Sequence, residues 1–334
     1  MAGYSTLSVI GGGAWGTALA NLAACNAVKT SLWAREADVV DAINTAHINR
    51  PYLPDIALST ALKATQSLEK AVQSEAVLFV VPVQYARATL MSLQEIAPQG
   101  KPLLLCSKGV EAGSNRLLTE VAETVWPPAS LAVLSGPSFA RDVALGMPTA
   151  VTLAAADEET GARWVETLRA PHFRPYASSD LIGAELGGAV KNVLAIAAGA
   201  VIGRGLGDSA RAAVIARGFA EFQRLGAALG AEAETMAGLS GLGDLILTAT
   251  STQSRNTSLG VALGEGRALD AILSERRSVS EGVATAAGVV ALGARAGVEL
   301  PICEAVAALV SGEASLDALI EKLLSRPLTR EFRT

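Results

Sequence analysis

At 334 residues the chain is long enough for roughly two domains of about 150 residues each. Half of its residues are hydrophobic, 18% are charged and the mean hydropathy is +0.37, which excludes a disordered chain because apolar burial can offset chain entropy. The net charge of −5, with no run of Lys or Arg, gives nucleic-acid binding no electrostatic support. The apolar stretches near Val9–Ile10, Val77–Val83, Leu103–Cys106 and Val193–Gly203 each fall short of the roughly 20 residues of a spanning helix, so no membrane span is expected. Three scattered cysteines (Cys25, Cys106, Cys303) and two histidines (His47, His172) lack metal-motif spacing, so no metal is expected. With no cationic leader at the start, the expectation is a reduced, cytoplasmic protein.

From Thr6 to about Tyr176, short β-branched or aliphatic runs alternate with longer amphipathic stretches, the pattern of βαβ units around a parallel-rich sheet. The predicted strands are Thr6–Ile10, Thr30–Ala34, Ala76–Val81, Leu103–Ser107, Leu131–Ser135, Thr149–Leu153 and Phe173–Tyr176. Val81-Pro82, Lys108-Gly109 and Ser135-Gly136-Pro137 follow strand ends, where ligands collect in open α/β sheets. After about Ser178 the strand signal ends, and Leu181–Ile202, Ser209–Leu229, Ala284–Gly297 and Pro301–Val310 read as Ala-rich helices, the first capped by Ser179 or Asp180.

Val9-Ile10-Gly11-Gly12-Gly13-Ala14-Trp15-Gly16 places G-x-G-x-x-G directly after a strand and at the opening of a helix. In that context Gly11 permits the tight turn, Gly13 removes the Cβ that would block a pyrophosphate, and Gly16 allows close helix–strand packing. The expected fold is therefore an α/β Rossmann-like dinucleotide-binding domain over residues 1–180, followed by an all-helical substrate-binding domain over 181–334. Where an NAD site would carry an acid for the ribose, this chain has Arg35, whose guanidinium suits a 2′-phosphate. The adjacent Glu36 could serve the ribose instead, so the reading is NADP or NAD, with NADP favoured.

Lys108 at a strand exit and Lys191 inside an apolar helix are unusual places for lysine. Together with Asn49–Pro54, Ser107–Glu111, Ser135–Ala140, Glu185–Val193, Gly238–Leu245, Ser254–Asn256 and Glu281-Gly282, taken in order along the chain, they resemble the NAD(P)-dependent glycerol-3-phosphate dehydrogenases of the bacterial biosynthetic type. The resemblance implies interconversion of dihydroxyacetone phosphate and sn-glycerol 3-phosphate, feeding phospholipid synthesis. It makes Lys191 the proton donor and acceptor, with Lys108 and Asp244 beside the reacting oxygen. It assigns the substrate phosphate to Ser254, Arg255 and Asn256 at a helix start, and sets Gly136 and Ser138 against the substrate. It sets Ala14, Trp15, Lys108, Ala140, Arg255, Val279 and Glu281 against the cofactor. Trp15 could flank the cofactor or simply cover the core, and Asn49–Pro54, with Tyr52, reads as a substrate-side loop without a catalytic role. A homodimer is compatible with the resemblance. A reductase of similar architecture acting on a 3-hydroxy acid or a keto acid, and a nucleotide-sensing or scaffold protein that kept the fold without the chemistry, stand as rivals.

Overall fold

The computed structural model describes residues 1–97, 99–275 and 281–327. Its first half is an eight-stranded sheet: β1 (Thr6–Ile10), β2 (Lys29–Trp33), β3 (Lys63–Thr65), β4 (Ala76–Phe79), β5 (Pro102–Leu105), β6 (Ser130–Ser135), β7 (Thr149–Ala155) and β8 (Phe173–Ser178). The spatial order is β3-β2-β1-β4-β5-β6-β7-β8, parallel throughout except for the antiparallel β6–β7 pair. All seven predicted strands are present, with ends shifted by up to two residues. The eighth, β3, is a three-residue edge strand containing Lys63 and Thr65, too short and polar to show an alternating pattern.

Both faces of the central strands are buried. Leu78 and Leu104 face one apolar cluster while Val77, Phe79, Leu103 and Leu105 face the other, the period of two that a strand imposes. Between β1 and β4 the strand order reverses direction, which opens a crevice above the carboxyl ends of those two strands.

The second half is helical and built around Leu181–Gly203, with Asp180 capping its first turn through Gly183 N–H (2.7 Å). By length and composition this 23-residue helix could cross a bilayer, with a hydropathy of 1.6, although the apolar stretch Val193–Gly203 alone is short. The helix extends back through Lys191 and Gly187-Gly188 to Leu181, and 78% of its apolar window is packed inside the protein. Gly199 and Gly260 let it touch the Arg255–Gly264 helix backbone to backbone, since a Cβ on either would collide with main-chain atoms of the other helix. Glu185 ties the two halves together by accepting from Leu118 N (2.5 Å) and the Thr119 hydroxyl (2.7 Å) at the start of the Leu118–Val125 helix. Burial pushes its carboxyl up to about 7 against the pull of those donors.

Candidate active site

Above the crevice, two of the three fingerprint glycines are required by contacts within the protein. Gly11 has φ +128°, and a Cβ there would lie 2.8 Å from the Val80 carbonyl oxygen of the neighbouring strand exit. At Gly16 a Cβ would collide with the Gly11 carbonyl. Gly13, at the N-cap of the Ala14–Cys25 helix, is different: a Cβ there would meet no protein atom within 4 Å. The protein needs glycine at positions 11 and 16 to fold the loop, whereas the open space at Gly13 suits a group approaching the helix N-terminus from outside. That helix has no acidic residue in its first turn and no side-chain cap, so an anion would meet free N–H donors. A dinucleotide pyrophosphate fits these features.

Arg35 follows β2 with its side chain 81% exposed, 3.3 Å from Glu36. Trp15, Ala14 and Ala140 pack against the apolar cluster on one sheet face, and Tyr52 joins them there. The Trp15 indole Nε1 is buried without a hydrogen-bond partner among the described residues.

On the other side of the crevice one carboxylate gathers two ammonium groups. Asp244, 1% exposed, takes Lys108 Nζ on Oδ2 and Lys191 Nζ on Oδ1, each at 2.6 Å. Three separate segments meet in this clasp. Lys108 comes from the turn after β5, Lys191 from the long helix, and Asp244 opens the Asp244–Thr250 helix after a π-helical turn at Leu239–Gly243. The Lys108 stem passes over Gly188, where a Cβ would stand 2.9 Å from its Cγ, and its Nζ also donates to the Gly136 carbonyl (3.2 Å). The Ser138 hydroxyl donates to that same carbonyl (3.1 Å). Lys191 donates further to Thr248 Oγ1 (2.9 Å), one helical turn beyond Asp244.

Burial pushes the Lys191 ammonium down to about 8; Asp244 resists the fall and Lys108 adds to it. Glu281, at the start of its helix, has its carboxyl raised by burial, with Arg255, Lys108 and Lys191 pulling the other way. Its field therefore reaches the same cationic cluster.

Ser254 spends its hydroxyl on capping the Arg255–Gly264 helix through Thr257 N–H (3.2 Å), which starts that helix at Arg255. Arg255 is exposed at the same N-terminus. Asn256 is buried, donates to Asn192 Oδ1 (2.9 Å) and accepts from Gly282 N–H (3.1 Å). Asn192 is the neighbour of Lys191, and its Nδ2 has no partner among the described residues. Val279 lies outside the described residues.

Two side chains carry no role in the sequence reading, Thr248 and Asn192, the latter within Glu185–Val193. Thr248 could have been found from its i+4 spacing to Asp244 on one helix face, and Asn192 from its place beside Lys191. The Asn49–Pro54 loop packs against the glycine turn. Asn49 is buried under the glycine loop, donating to the Gly12 carbonyl (2.9 Å), and Tyr52 lies within the fields of Glu36 and Arg35.

Comparison with known proteins decides the family. Residues 6–161 match the N-terminal and residues 180–321 the C-terminal model of NAD-dependent glycerol-3-phosphate dehydrogenase. The chain belongs to the NAD-dependent glycerol-3-phosphate dehydrogenase family. It is 57% identical over 326 residues to a Rhodospirillum rubrum glycerol-3-phosphate dehydrogenase [NAD(P)+], covering 97% of this chain and 93% of that one. A Maricaulis maris enzyme of the same description is 55% identical, covering 99% of each chain. The crystal structure of glycerol-3-phosphate dehydrogenase from Coxiella burnetii superposes with a TM-score of 0.92 at 36% identity, over 97% of this chain and 99% of that one. The protein is thus an oxidoreductase with glycerol-3-phosphate dehydrogenase activity that uses NAD or NADP. Its likeness to D-mandelate dehydrogenase, at 13% identity and a TM-score of 0.64, is one of fold alone. Both rival readings give way to membership of the glycerol-3-phosphate dehydrogenase family.

Proposed function

We propose that this member works as a dihydroxyacetone phosphate reductase, reversibly forming sn-glycerol 3-phosphate for glycerophospholipid synthesis, with Lys191 as general acid and base. The observation that carries the proposal is the buried clasp of Asp244 on Lys108 and Lys191. A bound nicotinamide cofactor supplies the hydride that the ketone carbon accepts. The ketone oxygen then gains negative charge, which two ammonium groups in a largely dry site stabilise more strongly than water would. Lys191, brought down to about 8, can donate its proton near neutral pH and recover it in the reverse direction. Asp244 and Thr248 hold that amine in one orientation, and Lys108 bridges it to the Gly136 turn. Residues 181–334 thus provide the acid–base group and residues 1–180 the cofactor loop. Arg35, projecting from the end of β2, supports NADP over NAD.

Arg255, at a helix N-terminus and flanked by Asn256, is assigned to the substrate phosphate. Its loss in Arg255→Ala is expected to reduce kcat/KM for dihydroxyacetone phosphate about 10- to 100-fold, the range of a lost charge-assisted hydrogen bond. Unphosphorylated dihydroxyacetone should be affected far less. Steady-state rates with both ketones, run in parallel with NADPH and NADH, test the assignment. Intact turnover of the phosphorylated ketone by the variant would remove Arg255 from this role, and equal efficiency with both cofactors would remove the Arg35 preference.

A further inference from the structure

Asn49 is fully buried beside the buried Thr17, and a polar side chain there needs bonds to offset its lost hydration. Its Nδ2 donates to the Gly12 carbonyl (2.9 Å) and to Thr17 Oγ1 (2.7 Å), and the Thr17 hydroxyl itself donates to the Gly12 carbonyl (3.3 Å). Asn49 Oδ1 has no partner among the described residues, so the amide contributes as a donor. The Asn49 backbone is anchored by its own turn, where Leu53 N–H donates to the Asn49 carbonyl (2.8 Å), and Arg141 holds the Pro54 carbonyl (3.3 Å).

The consequence follows from the planarity of the peptide bond. In a trans peptide the carbonyl and the N–H point in opposite directions, so drawing the Gly12 carbonyl inward turns the Gly13 N–H outward. Gly13 is the N-cap of the helix, and its open side is where a Cβ would meet nothing.

We propose that Asn49 is a positioning residue for the dinucleotide: with Thr17 it locks the Gly12–Gly13 peptide so that the Gly13 N–H faces the cofactor pyrophosphate. The inference rests on the reading of Gly11–Gly16 as the pyrophosphate loop. It gives the Asn49–Pro54 segment a task in cofactor binding and explains why an amide is needed. An ionised aspartate has no proton to donate and would set its charge against the Gly12 carbonyl.

Titration of NADPH by nicotinamide fluorescence on Asn49→Ala, Asn49→Asp, Thr17→Val, Thr17→Ser and Gly13→Ala, each with its thermal midpoint, tests the inference. Asn49→Ala and Asn49→Asp are expected to weaken NADPH binding at least 10-fold. The KM for NADPH should rise in step, while the KM for dihydroxyacetone phosphate at saturating NADPH moves less than twofold. Thr17→Val should weaken binding by a smaller factor, and Thr17→Ser, which keeps the hydroxyl, should restore it. Folded Asn49 variants with a lowered thermal midpoint but wild-type NADPH affinity would overturn the inference and leave Asn49 a structural residue. If they do not fold, Thr17→Val decides, because unchanged affinity there also overturns it. Gly13→Ala separates the two levels: its φ of −70° accepts a side chain and its Cβ has room, so it should fold normally and bind NADPH poorly. Wild-type binding by Gly13→Ala would refute the loop assignment itself, and the inference with it.

Discussion

Lys191→Ala is expected to lower kcat by about 10²- to 10⁴-fold in both directions while NADPH binding stays close to that of the wild type. The amine is 11% exposed and, among the described residues, its hydrogen bonds reach Asp244 and Thr248, both on one short helix of the second half of the chain. Among the described residues no bond joins it to the glycine loop, so its removal should spare the cofactor. Removing it also leaves Asp244 paired with Lys108, so the buried carboxylate keeps a counter-charge and the fold should survive. Stopped turnover with intact fluorescence titration identifies the proton-transfer group. Loss of NADPH binding along with turnover would instead mark Lys191 as a structural lysine.

Asp244→Asn is expected to damage both stability and chemistry. The carboxylate is 1% exposed between two ammonium groups, and the amide that replaces it has the same shape without the charge. Breaking a buried ion pair by neutralising one partner costs about 3–5 kcal/mol, since the remaining charge is left in a poorly solvated place. Asp244 is the main influence holding the Lys191 ammonium up, so without it the lysine should lose its proton below pH 8. The sign of the stability effect follows. The folded variant binds the Lys191 proton more weakly than the folded wild type does, while the unfolded chains bind it alike, so its deficit is greatest at low pH and shrinks as pH rises and the amine becomes neutral. Denaturant midpoints at pH 6 and pH 9 check this, and a deficit that grows with pH would contradict it. Turnover should fall about 10²- to 10³-fold, with both lysines freed from their shared anchor.

The chain's own pattern carried the reading a long way where the signals are local. Thr6–Ile10 is an apolar strand running into three glycines and a helix, and it folds as that order implies. The long helix was legible from its alanines and its Asp180 cap, while its full apolar length was not, because Gly187-Gly188 and Lys191 interrupt the hydrophobic run. Within the glycine-rich Gly238–Leu245 segment, Leu239–Gly243 is a π-helical turn that leads Asp244 into a helix, and its Ser240 carbonyl lies so close to Gly187 that a Cβ there would collide with it. The clasp itself joins residues more than fifty positions apart. Periodicity is silent on such a contact, and only the resemblance grouped Lys108, Lys191 and Asp244 before the fold was known. Asn49 is the extreme case: its partner Gly12 lies 37 residues upstream, and nothing in the residues around it announces the bond.

The central claim, that Lys191 is the acid and base of the reaction, is tested most directly by the pH dependence of kcat/KM in both directions. Reduction takes up one proton overall, so the two profiles must diverge with pH whichever group is responsible; the loss of the break with one side chain identifies the group. With Lys191 at about 8, dihydroxyacetone phosphate reduction should be level below pH 8 and fall above it. Glycerol 3-phosphate oxidation should rise towards pH 8 and level off beyond it. A break within about one unit of pH 8 that disappears from the residual activity of Lys191→Ala is the predicted result. Its persistence in that variant, or its absence from the wild-type profiles, would contradict the account.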